Sequence, residues 1–94
     1  MRLLQNGKET AAIDFGMVEL GTRKEIIVEL ENNGEGTLTD LIFKIDFDVQ
    51  IIDAPKTVNP HATVPIRLSW APTPELRQPL EVTLEVTGKE VFRG

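Results

Sequence analysis

Apolar and polar residues alternate along most of this chain with a period of two. In residues 24–32, Ile26, Val28 and Leu30 share one parity while Glu25, Ile27, Glu29 and Glu31 share the other, the pattern of a strand with one buried and one mostly acidic face. Residues 41–48 repeat it, with Leu41, Phe43, Ile45 and Phe47 set against Ile42, Lys44, Asp46 and Asp48. In residues 63–70, Val64, Ile66, Leu68 and Trp70 alternate with Thr63, Pro65, Arg67 and Ser69. In residues 80–87, Leu80, Val82, Leu84 and Val86 alternate with Glu81, Thr83, Glu85 and Thr87. Shorter runs at 12–15, 49–53 and 90–93, bounded by Gly16, Pro55 and Gly88 respectively, predict three further strands.

The punctuation between these runs agrees with them. Asn32-Asn33-Gly34-Glu35-Gly36 is rich in residues that tolerate the positive φ of tight turns, so the chain is expected to reverse there. Pro55, Pro60, Pro72, Pro74 and Pro79 fall between apolar runs, whereas Pro65 lies inside one and predicts a strand start, a bulge or an edge. Only residues 73–78 leave room for a helical turn. Seven short strands with turn signals every ~8–12 residues predict an all-β fold, an immunoglobulin-like antiparallel β-sandwich of about seven strands. The expected organisation is a single domain over residues 1–94, with residues 1–10 as an N-terminal arm. Three placements follow. Val28 and Leu30 should face Phe43 and Ile45 across the sandwich. The strand at 24–32 should pair with that at 63–70, with Glu29 and Arg67 on one outer face. The runs at 12–15 and 90–93 should lie at sheet edges, where unpaired backbone groups are adhesive.

Composition narrows the chemistry. The chain has 94 residues and no cysteine, which removes disulfides, thiolate nucleophiles and cysteine-based metal sites together. Its net charge of −5 opposes binding to nucleic-acid phosphates, and the absence of Tyr leaves few rings on which bases would stack. No apolar run approaches the ~20 residues that span a bilayer, and the first ten residues lack the apolar core of a signal peptide. A soluble, non-secreted chain is expected, cytoplasmic or part of an intracellular assembly.

Few residues are candidates for chemistry. Asp14-Phe15-Gly16 matches a magnesium-binding triplet of protein kinases, but the glycine-rich and catalytic loops of a kinase are missing, and a strand entering a glycine corner explains it better. His61 is the one histidine and sits in an expected turn between Pro60 and Ala62. Asp40, Asp46 and Asp48 share a parity, yet alternate strand residues lie ~7 Å apart and do not converge as calcium requires. One histidine and no cysteine do not assemble into a nucleophile, base and orienting group, so no catalytic, cofactor or metal residue is assigned.

Ile13-Asp14-Phe15-Gly16-Met17-Val18-Glu19-Leu20-Gly21-Thr22, followed by a strand that closes on Asn32-Asn33-Gly34, resembles the opening of the ASH domain family, within the major-sperm-protein-like and PapD-like immunoglobulin folds. The stretches Val58-Asn59-Pro60-His61-Ala62-Thr63-Val64 and Ile66-Arg67-Leu68-Ser69-Trp70-Ala71-Pro72 fit as well. In that family a Pro-Gly pair precedes the strand, and here His61 stands in place of the glycine. The resemblance implies a non-enzymatic structural or protein-interaction module that attaches to a larger assembly. The alternative is a stand-alone accessory protein that decorates a virus capsid or similar repetitive assembly. A protein partner or self-association is expected, with Val91, Phe92 and Trp70 as candidate interaction residues: Val91 and Phe92 on the last strand, Trp70 either as a core plug or as an interface anchor.

Overall fold

The alternating runs become antiparallel strands. The computed structural model describes residues 1–46, 49–74 and 78–92. Within them the strands are β1 (Arg2–Gln5), β2 (Lys8–Glu9), β3 (Ile13–Gly16), β4 (Lys24–Glu31), β5 (Thr37–Ile45), β6 (Gln50–Asp53), β7 (Thr63–Trp70), β8 (Leu80–Val82) and β9 (Leu84–Val91). One layer is the five-stranded sheet β2-β1-β4-β7-β6. The other is made of two pairs, β3 with β8 and β5 with β9, joined because only Thr83 separates β8 from β9. Together they form the expected all-β sandwich.

The expected pairing of β4 with β7 runs from Lys24 opposite Trp70 to Glu31 opposite Thr63. It turns Val28, Leu30, Ile66, Leu68 and Trp70 into the core, where each is at most 1% exposed. The second layer contributes Ile13, Phe15, Leu38, Leu80, Val82 and Leu84 to the same cluster. Phe43 and Ile45 pack against it and are half-buried, the expected side of their strand. Phe47 lies outside the described residues, as do parts of the run at 73–78.

Three details differ from the pattern-based expectations, and a fourth, at Pro65, meets the edge alternative. Residues 1–10 are built into the fold: β1 and β2 form a hairpin, and β1 pairs with β4 from Arg2 opposite Glu31 to Leu4 opposite Glu29. Gly88 does not end a strand but lies inside β9, opposite a bulge in β5 between Thr39 and Ile42. A side chain there would meet the Thr39 carbonyl at 3.0 Å and Leu41 Cδ2 at 2.7 Å, so glycine marks a close crossing of two backbones. Arg67 shares its face with Glu29, but its ion pair, at 3.1 Å, is with Glu25. Pro65 is an internal residue of β7 opposite Glu29, and β6 has already ended at Asp53, opposite Arg67, so β7 is locally bare on that side.

Candidate interaction surface

The three candidate residues part company. Trp70 is wholly enclosed at 0% exposure, its ring centroid 5.6 Å from that of Phe15 and tilted by 58°. It fills the core role and offers no surface to a partner. Among the described residues its indole Nε1 has no hydrogen-bond partner, so its place rests on packing.

Beside it, Asp14-Phe15-Gly16 is a corner. The Asp14 carboxylate accepts from the Gly16 N–H at 2.7 Å, Gly16 takes φ +64°, and Lys24 Nζ donates to the Phe15 carbonyl at 3.0 Å. The geometry points Phe15 inward and uses one carboxylate oxygen of Asp14 to close the turn.

At the opposite end of β4 the turn predicted at Asn32 contains a buried bracket that its composition did not reveal. Asn32 is 1% exposed. Its side-chain amide donates to the carbonyls of Gly36, Val58 and Asn59 at 2.8, 3.0 and 3.2 Å, and its Oδ1 accepts from the Gly34 N–H at 3.0 Å. Its backbone N–H donates to the Ala62 carbonyl at 2.9 Å. One side chain thus ties the β4–β5 turn to the loop that precedes β7. Only its recurrence in a turn motif signalled it in the sequence; the long-range partners were invisible there.

That loop carries His61 at φ +63°, a left-handed conformation in which a residue with a Cβ is strained. The positive φ gives the physical reason for a glycine at the equivalent place in the resembling family. His61 is exposed, with Nε2 3.1 Å from a Glu35 carboxylate oxygen.

Val91 and Phe92 emerge beside this bracket, 50% and 61% exposed. With Glu35, Thr37, Asn59 and Pro60 they line a cleft of about 670 Å³. Val91 is opposite Thr37 in the β5–β9 ladder, so one edge of the last strand is occupied. Among the described residues β3 pairs with β8 alone and lies at an edge, as expected. Ile27 and Ile42, exposed at 60% and 57%, are further apolar residues on the two outer faces. Among the described residues no group of three potential ligands is placed to hold a metal ion, and no helix is long and apolar enough to cross a membrane. Of the acidic parity suspected near β5, Asp40 lies 3.9 Å from Lys89 at the surface and Asp46 is exposed just past the strand, while Asp48 lies outside the described residues.

Comparison with known families matches the chain over residues 2–94 to the profile described as abnormal spindle-like microcephaly-associated, ASPM-SPD-2-Hydin (ASH). No curated protein and no solved structure matches significantly.

Proposed function

The chain belongs to the ASH family, a family of structural and protein-interaction modules, and from that premise we propose that it attaches to a larger protein assembly through the surface formed by Val91, Phe92 and Pro60. The observation that carries this reading is the pair of exposed apolar side chains at the end of β9, open on a cleft whose rim holds the polar Asn59, Thr37 and Glu35. An apolar centre with a polar rim is the usual anatomy of a protein-binding patch. The module acts by binding and needs no catalytic group. The matched family offers nothing toward the decoration of a virus particle.

Because Val91 is engaged with Thr37, proline at 91 threatens the β5–β9 ladder as well as any partner. Side-chain truncation is the cleaner test. A photo-crosslinking residue at position 92 of the full chain, expressed in its native host, is expected to capture a partner that the same residue at the equally exposed Ile42 does not, and Phe92→Ser should weaken association by roughly 10-fold, on the order of one lost anchor side chain. Capture from position 42 but not 92 overturns the assignment.

A further inference from the structure

Among the described residues β3 has no strand on the side away from β8, and such an edge is adhesive when its backbone groups lack partners. The groups on this edge are taken by side chains. Asp14 turns its backbone N–H and carbonyl to the open side, and both meet the amide of Gln5. The N–H donates to Gln5 Oε1 at 3.0 Å, and the carbonyl accepts from Gln5 Nε2 at 2.8 Å. A carboxamide carries the same donor and acceptor as a peptide group, so Gln5 stands where a neighbouring strand would. Two residues earlier Ala12 is closed in the same way: the Thr10 hydroxyl accepts from its N–H at 3.2 Å and donates to its carbonyl. The Gly16 N–H, next in the row, is held by Asp14 Oδ1.

Gln5 breaks the pattern of its own strand. In β1 it shares the parity of Leu3, which packs against the core, and a polar residue there is costly unless its groups are paired. Satisfying Asp14 does not by itself account for it. Both bonds lie at the surface, where water would serve either group as well. What water cannot do is keep another strand away. We propose that Gln5, assisted by Thr10, guards the β3 edge against pairing with a second copy of this chain. The edge is self-complementary. Ala12 and Asp14 are two residues apart and turn to the same side, so a two-fold axis at Ile13 sets Ala12 of each copy opposite Asp14 of the other, free to exchange both backbone bonds. An axis at Asp14 would instead oppose two carboxylates. β3 has a bulge past Asp14 but neither proline nor lysine, so over residues 12–14 the guard is what closes the edge. The inference stands apart from the Val91–Phe92 surface, to which it confines association.

The test removes the guard from the full chain and leaves the packing in place. Gln5→Met keeps the length of the side chain and suits the core-facing parity, but it cannot hold Asp14. Combined with Thr10→Val it should self-associate at least ~10-fold more tightly than the unsubstituted chain in analytical ultracentrifugation, with the circular dichroism spectrum unchanged. In the single Gln5→Met variant, and equally in Gln5→Asn, whose amide is too short to span the gap, hydrogen exchange at the Asp14 amide should accelerate by ~10-fold or more in dilute solution. It should slow again as the protein is concentrated, because a second copy then takes the amide's place; a merely structural glutamine would give no such reversal. The chain has no cysteine, so register can be read by cross-linking. Ala12→Cys and Asp14→Cys copies of the unguarded variant, mixed and oxidised, should join 12 to 14 rather than 14 to 14. Adding Phe92→Ser should leave this dimer intact. A folded, unguarded chain that associates no more than its parent overturns the guard. So does unchanged Asp14 exchange in the single variants, a predominant 14–14 link, or loss of the dimer with Phe92→Ser. None of these outcomes touches capture of a partner from position 92, and failure of that capture leaves the guard standing.

Discussion

β4 and β7 face each other over eight consecutive pairs without a break, whereas β5 and β9 lose register between Thr39 and Ile42. The two ladders come from sequence runs of similar alternation, yet their surroundings differ. β4 lies between β1 and β7, and β7 between β4 and β6, so their inward residues are enclosed from both sides. Among the described residues, β5 and β9 have only each other as strand partners, apart from a single bridge from Leu38 to Val58, and although Leu38 and Leu84 are buried, their inward Leu41, Phe43, Ile45 and Val86 are half-buried. A strand with neighbours on both sides has its register enforced by every pair, while a strand with one neighbour absorbs an extra residue at little cost. The rigid ladder therefore holds the core, and the irregular one presents the surfaces on which binding is proposed.

The sharpest test of this contrast truncates one aromatic residue in each ladder. Trp70→Ala in β7 should cost about 4 kcal/mol, whereas Phe43→Ala in β5, half-buried, should cost about half as much. Urea denaturation of the two variants measures both, and equal losses would erase the distinction between the ladders. The Asn32 bracket joins the ends of both, so Asn32→Ala should cost about 1–2 kcal/mol: the Gly36 carbonyl and the Gly34 N–H lose the Asn32 side chain, while the Val58 and Asn59 carbonyls keep their backbone donors, Leu38 and Ala62. A cost below ~0.5 kcal/mol would mean that water replaces the amide.

A smaller effect is expected within β9. Gly88→Ala should destabilise by about 1 kcal/mol, since the new methyl meets the Thr39 carbonyl at the bulge, even though alanine is ordinarily the better strand residue. A stabilised variant would show that the crossing relaxes freely. Smallest, and opposite in sign, His61→Gly should raise stability by about 0.5 kcal/mol: relief of the left-handed strain at φ +63° exceeds the added flexibility of the unfolded chain and the loss of an exposed contact with Glu35. The melting temperature reports it, and a fall would show that the histidine side chain holds the loop.

The strands themselves were legible because a half-buried strand needs a period of two, and nothing else in the chain competed with that period. The residues of β4 and β7 could be paired on paper, since each has one apolar parity and a strict alternation. The glycine corner at Gly16 and the turn at Asn32 were legible for the same local reason, that few residue types accept those backbone angles.

Other features depend on partners distant in the chain. Gly88 has the same composition signal as a strand terminator, and only the approach of β5 makes it an internal residue. Residues 1–10 contain too few alternating positions to announce a hairpin, and their place was settled by the bare edge of β4 that they cover. Trp70 had the character of an interface anchor or a core plug, and its neighbour Phe15, 55 residues away, chose between them. Local alternation dictates which residues point inward. Which edges stay bare, and so where a partner can dock, depends on how the whole set of strands closes on itself, and no window of sequence contains that information.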